Sequence, residues 1–206
     1  MKITFQKIGK KFNRDWIFRG VDWTLAEQSK SVVLGPNGSG KSTLLQLISG
    51  AVSPTEGQLQ WQQNDAFISS EKIFESVAIA APYLELPEEL TLKELIKFHF
   101  SFKRMNTELN ENALIELSGL GSAIEKQLRY YSSGMKQRAR LLLACCSDVP
   151  LLILDEPCSN LDKSGVAWYG DLVRRYATTK TIIVGSNHME SEYDFCTEQV
   201  DIVHWK

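Results

Sequence analysis

Gly35-Pro36-Asn37-Gly38-Ser39-Gly40-Lys41-Ser42, running on into Thr43, is the stretch that decides how this 206-residue chain is read. It follows a short β-branched run, Ser31-Val32-Val33-Leu34, and opens the segment Ser42–Ser49, which reads as a helix closed by Gly50. The pattern G-x-x-x-x-G-K-[ST], set between a strand and a helix, is a phosphate-binding loop. Glycines at 35, 38 and 40 let the backbone turn and bring N–H groups against phosphate oxygens. The helix beginning near Lys41 aims its positive dipole end at the same anion. Lys41 supplies a point charge to the β- and γ-phosphates, and the Ser42 hydroxyl can ligate Mg²⁺.

A Mg²⁺-nucleotide site also needs a carboxylate at a strand end. Leu151-Leu152-Ile153-Leu154-Asp155-Glu156 supplies one. Asp155 stands where the strand leaves the core and is the candidate to hold Mg²⁺ through water. Glu156 beside it is placed to orient or deprotonate an attacking water. Leu151–Leu154 and Thr181–Val184 are continuous apolar runs, as buried parallel strands are. Lys2–Gln6 and Val21–Leu25 alternate apolar and polar residues, which predicts half-buried antiparallel strands. Pro54-Thr55-Glu56-Gly57 reads as a turn, and a last strand is expected at Val200–Val203. Helices are expected over Thr91–Met105, with Thr91 as N-cap and Glu94 completing a capping box, and over Glu111–Leu117 and Gly134–Cys146. The fold class that follows is α/β: a P-loop core with a mixed or parallel sheet, N-terminal antiparallel strands and an inserted α-helical lobe.

Composition narrows the function classes. With 23 Lys+Arg against 25 Asp+Glu and 43% hydrophobic residues, the chain is an ordinary globular one of net charge −2. That balance argues against bulk electrostatic capture by nucleic acid. Its longest apolar runs, Leu141–Cys146 and Leu151–Leu154, fall far short of the ~20 residues that span a bilayer, and no signal-peptide stretch opens the chain. Cys145, Cys146, Cys158 and Cys196 form no Cys-x-x-Cys pair, so reduced thiols are expected.

What lies between and after the two phosphate-site motifs is more specific. Tyr131-Ser132-Ser133-Gly134-Met135-Lys136-Gln137-Arg138 resembles the L-S-G-G-Q signature of the ATP-binding cassette (ABC) family, with its following K-Q-R. Pro157-Cys158-Ser159-Asn160-Leu161-Asp162 resembles the family's D-loop, and Ser186-Asn187-His188 its switch histidine. The motifs cover nearly the whole chain in the family's order. The resemblance implies a single ABC ATPase domain over 1–206, a RecA-like core with the helical lobe inserted at roughly 83–148. It implies that Glu156 acts as catalytic base and that His188 contacts the γ-phosphate. It implies that Gly35 through Thr43 bind the nucleotide and that Ser42 and Asp155 hold Mg²⁺. An aromatic residue stacking on adenine falls in register at Phe12, with Trp16 as the alternative. Ser132, Ser133 and Gly134 would cap, in trans, the γ-phosphate bound by a second cassette, and Asp162 would lie across the same interface.

The sequence also departs from the pattern. The family's glutamine at the start of the lobe falls in register with Pro82, which offers neither side-chain oxygen nor N–H; Glu85 is the nearest replacement. Ser133 and Met135 replace a glycine and a glutamine of the signature, and Gln28-Ser29 stands where a Gly-Glu turn is common. The expected function is the ATP-binding and ATP-hydrolysing subunit of a transporter. It would sit on the cytoplasmic face of the membrane, pair with a second cassette and drive a separate polytopic membrane subunit, with ATP and Mg²⁺ as its cofactors and no nucleic acid. Tyr83, Leu84 and Leu86 are candidate docking residues for that subunit. The alternative is a soluble, non-transport ABC-type ATPase, disfavoured because the stretch from Ser42 to Ser132 has no sustained heptads.

Overall fold

The computed structural model describes residues 1–206 and contains two sheets. The first is antiparallel and is built from β1 (Lys2–Phe12), β2 (Asp15–Leu25), β4 (Glu56–Gln63) and β5 (Ala66–Ile68) in the order β2-β1-β4-β5. The second is parallel and runs β6-β7-β8-β3-β9, using β3 (Lys30–Leu34), β6 (Val77–Ala80), β7 (Leu151–Asp155), β8 (Thr181–Ser186) and β9 (Glu198–Asp201). Five α-helices join them: α1 (Lys41–Ile48), α2 (Leu92–Phe102), α3 (Glu111–Ser118), α4 (Ser133–Cys146) and α5 (Lys163–Tyr176).

The parallel sheet separates two apolar cores, and its strand sequences say why. On β7, Leu152 and Leu154 point into one core while Leu151 and Ile153 point into the other, all fully buried. A strand covered on both faces has no polar side to show, hence the continuous apolar run. One core packs the sheet against helices through Leu141, Leu142, Tyr169 and Leu172. The other packs it against α1 (Leu44, Leu47, Ile48) and the antiparallel sheet (Ile3, Phe5, Ile8, Phe18, Val21, Leu25). The half-buried alternation expected of the N-terminal strands is therefore present, and both strands are longer than the pattern indicated.

Helix ends follow their capping residues. Thr91 and Glu94 form the reciprocal capping box at the start of α2. That helix stops at Phe102, short of Met105, because Lys103 turns extended and its ammonium goes to the carbonyls of Phe74 and Val77. Two further boundaries differ from the sequence expectation. Glu56 already pairs with Gly9 of β1 and Gly57 follows it within β4 at a register shift, so the turn before them ends at Thr55. The last strand is Glu198–Asp201, not Val200–Val203. There the Asp201 carboxylate accepts the Val203 N–H at 2.9 Å and tightens the chain into a 3₁₀ turn, Ile202–Trp205. No helix is long and apolar enough to cross a membrane.

Candidate functional site

Because β3, β6, β7 and β8 run parallel, their carboxyl ends open on one side of the sheet. From β3 the chain enters the glycine loop, and Gly40, at φ 103, serves as the left-handed N-cap of α1. Lys41 is only 4% exposed. Its ammonium donates to the carbonyls of Gly35 at 2.8 Å and Pro36 at 3.2 Å, so the loop is curled around its own lysine. The same nitrogen lies 3.9 Å from Glu156 Oε1. Asn37, Gly38, Gly40, Lys41, Ser42, Thr43 and Glu156 line one cleft together with Ile17. Ser39 is buried behind the loop, with its hydroxyl unpartnered.

Asp155 ends β7 with 2% exposure, and neither carboxylate oxygen has a hydrogen-bond partner. Burial pushes this carboxyl above its ordinary range; the Glu156 charge adds to the rise, while the Ser42 hydroxyl and Lys41 oppose it. A buried, unpartnered carboxylate is costly unless a cation compensates it. The hard oxygen donors of Asp155 and Ser42 beside a phosphate loop therefore suit Mg²⁺. Gly185 on β8 makes the room: a Cβ there would lie 2.7 Å from Asp155 Oδ1. Glu156 follows at φ 44, a left-handed conformation that a non-glycine residue rarely adopts. Its N–H donates to the Gly185 carbonyl at 2.9 Å.

His188 leaves β8 in an exposed turn, also left-handed at φ 60. Phe12 and Trp16 lie near the hairpin between β1 and β2, 47% and 39% exposed. Lys10 sits over the Phe12 ring at 4.8 Å and Arg19 over Trp16 at 4.5 Å. Neither ring lines the loop cleft. Ile17 does, and nothing in its sequence context sets it apart from a core residue.

The signature residues form a second cleft, with Ser132, Ser133, Gly134, Arg138, Asn160 and Asp162 among its lining. Ser132 caps α4, its hydroxyl accepting the Met135 N–H at 3.2 Å. Gly134 is where the chain comes closest: a Cβ there would stand 2.7 Å from the Asn160 carbonyl oxygen. Asp162 is the N-cap of α5, a helix the sequence reading did not anticipate. It accepts the Gly165 N–H at 2.7 Å, which holds its carboxyl below the usual range.

After β6, Pro82 is exposed and makes no side-chain hydrogen bond. Glu85 lines a separate cleft with Glu88, Glu89, Lys136 and Arg140, and not the phosphate-loop cleft. Tyr83 is nearer the site. Its hydroxyl is raised above its ordinary value, first by burial and then by the Asp155 charge.

Residues 18–159 match the family described as ABC transporter. The chain is 31% identical, over 92% of both sequences, to the cytochrome c biogenesis ATP-binding export protein CcmA of Mesorhizobium japonicum. Its fold is similar to a solved ATP-binding subunit of an ABC transporter, with TM-score 0.82 and 21% identity over 98% of this chain and 85% of that one. It is likewise similar to a dimeric ATP-binding cassette in a post-hydrolysis state with ADP and Pi, with TM-score 0.81 and 19% identity over 97% and 93% of the two chains.

Proposed function

Because the chain belongs to the ABC transporter family and is its ATP-binding, ATP-hydrolysing subunit, we propose that ATP is bound and cleaved at the loop cleft through the residues assembled there. The observation that carries this reading is Asp155: a carboxylate 2% exposed, with both oxygens unpartnered, at a strand end beside a phosphate loop. Ser42 and Asp155 hold Mg²⁺, which supplies charge neutralisation at the phosphates. Gly35 through Thr43 wrap the phosphates with backbone N–H groups. Lys41 exchanges its two carbonyl partners for phosphate oxygens, which an ammonium with three donors can do without leaving its buried position. Glu156 accepts the proton of the attacking water, and His188 contacts the γ-phosphate. Adenine stacks at Phe12, with Trp16 the competing ring.

Ser132, Ser133, Gly134 and Asp162 have no nucleotide of their own to serve, since they line a cleft apart from the loop. In our reading they complete the site of a second cassette, so turnover requires two copies or a related subunit. The lobe inserted at roughly 83–148 receives a polytopic membrane subunit, and the pair works at the cytoplasmic face of the membrane. Export is the direction named for the relative in Mesorhizobium japonicum, and we adopt it here.

The test is hydrolysis by the full chain with Mg²⁺ titrated against a chelator, beside Glu156→Gln. The variant is expected to retain ATP, lose turnover by about 10²- to 10⁴-fold, and elute at doubled mass with Mg-ATP. Unchanged hydrolysis in the variant would refute the assignment of the base.

A further inference from the structure

β7 and β8 are neighbours in register, Asp155 opposite Gly185, and each delivers one hydrolytic residue just beyond its end. The last backbone bond between them is Glu156 N–H to Gly185 O. The next N–H on that side belongs to Cys158, since successive N–H groups of a strand point to opposite neighbours, and it meets no carbonyl of the β8 exit. At that point a side chain takes over. Glu192 is 3% exposed, and its Oε1 accepts the Cys158 N–H at 3.1 Å while its Oε2 accepts the Ser186 hydroxyl at 2.5 Å. One carboxylate thus spans the gap between the two strand exits.

The bridge is anchored on every side. Ser186 Oγ also accepts the Met189 N–H at 3.2 Å, closing the turn that holds His188 in its left-handed conformation. The Glu192 N–H donates to the Met189 carbonyl at 2.9 Å, and the Glu192 carbonyl accepts the hydroxyl of fully buried Tyr169 at 2.8 Å. On the other flank, buried Gln137 of α4 donates to the Pro157 carbonyl at 3.0 Å. A continuous path of hydrogen bonds and one peptide step therefore runs from the signature helix through Pro157, Cys158, Glu192 and Ser186 to the His188 turn.

We propose that Glu192 is a positioning residue for ATP hydrolysis: its carboxylate locks the loop that carries Glu156 to the turn that carries His188, so that the two move as one unit. This rests on the hydrolytic reading of Glu156 and His188 given above. Burying a carboxylate at this depth is unfavourable by itself. The two donors it accepts from lie on the two loops whose relative placement sets the geometry of attack. Misplacing reacting groups by an ångström costs on the order of a hundredfold in rate without requiring any loss of binding.

The experiment measures steady-state hydrolysis at saturating Mg-ATP and equilibrium binding of a fluorescent ATP analogue, using the full chain. Glu192→Ala is expected to lower kcat by at least about tenfold with the analogue's Kd changed by less than about threefold. Ser186→Ala cuts the same path at its other end and should act in the same direction. Combined with Glu192→Ala it should add less than about twofold, because the two changes break one bridge. Glu192→Gln keeps the span, its amide still accepting from Cys158 and donating to Ser186 Oγ, and should recover most of the rate. If Glu192→Ala does not fold, Ser186→Ala and Glu192→Gln decide the question by themselves. Wild-type kcat in Ser186→Ala, multiplicative losses in the double variant, or a Gln variant as slow as Ala would each overturn the bridge. Glu156→Gln is run alongside. If it abolishes turnover while Ser186→Ala and Glu192→Ala run at wild-type rates, hydrolysis at Glu156 stands and only the role of Glu192 falls.

Discussion

Asp155→Asn is expected to stabilise the nucleotide-free chain while disabling it. The wild-type carboxylate is 2% exposed with both oxygens short of a well-placed donor, so the folded state carries a buried charge that Ser42 and Lys41 offset only in part. An unsatisfied buried group costs about 1–3 kcal/mol, more when charged, and the neutral, isosteric amide relieves about 2 kcal/mol of this. At about 2.1 cal/mol/K per residue, a chain of 206 residues has an unfolding entropy of roughly 430 cal/mol/K, so that relief raises Tm by about 5 °C. The pH dependence has a definite sign. Burial raises the folded-state pKa of Asp155 above the unfolded value of 3.8, so the folded chain binds the proton more readily. The cost is full above the raised value and is shed as pH falls through it toward 3.8. The gap in Tm between variant and wild type should therefore be widest near neutrality and narrow on acidification. Adding Mg-ATP reverses the order, because ligand at about 100 Kd stabilises a binding-competent chain by about 2.7 kcal/mol and the variant lacks the metal contact. Thermal melts in chelator and in Mg-ATP, repeated across pH, measure all three effects. A variant that melts lower than wild type in chelator at neutral pH would refute the reasoning.

Lys41→Ala removes the only ammonium in the phosphate loop and should weaken ATP binding on the order of tenfold to a hundredfold, the worth of a charge-assisted hydrogen bond, read by nucleotide titration. Gly134→Ala sets a methyl 2.7 Å from the Asn160 carbonyl oxygen. It should destabilise the chain by about 1–3 kcal/mol, seen in denaturant unfolding, and slow hydrolysis by moving the 157–162 segment. Phe12→Ala should weaken the adenine nucleotide selectively over inorganic triphosphate, and Trp16→Ala should not; the reverse pattern in competition binding would move the stacking role to Trp16.

Local chemistry made much of this molecule legible in advance. The loop at Gly35–Ser42 needed its glycines and lysine in fixed order, and Leu151–Leu154 could be apolar throughout only if both faces were covered. Thr91 with Glu94 announced its helix start by reciprocal capping. What escaped notice lacked such signals. Strand β6 is four residues long, Val77–Ala80, and owes its pairing to β7 and not to any pattern of its own. Helix α5 starts at Lys163 behind its N-cap Asp162, and reading Asp162 as a loop element hid that role. Ile17 and Glu192 are ordinary in sequence and become significant only through what the chain folds against them: the glycine loop for one, two strand exits for the other.

The site's residues share a structural circumstance that explains both their chemistry and their cost. Parallel strands end together, and at that edge the ladder stops supplying backbone partners. Of the strand exits, the one after β7 places Glu156 at φ 44 and Asn160 at φ 63, and the one after β8 places His188 at φ 60. Each is left-handed, a conformation that costs Glu156 about 1–2 kcal/mol and that asparagine and histidine enter more readily. They persist because the edge is over-determined from outside the sheet. Gln137 holds Pro157, Asp162 holds the turn into α5, and the Ser186 hydroxyl holds the turn after His188. Glu192 holds the two exits to each other. Strain of this kind keeps a loop from settling into a relaxed alternative. It follows that glycine at 156 or 188 would relieve the backbone while removing the side chain. With Glu156 and His188 in the roles proposed for them, the stability gained would come at the positions where hydrolysis needs its side chains.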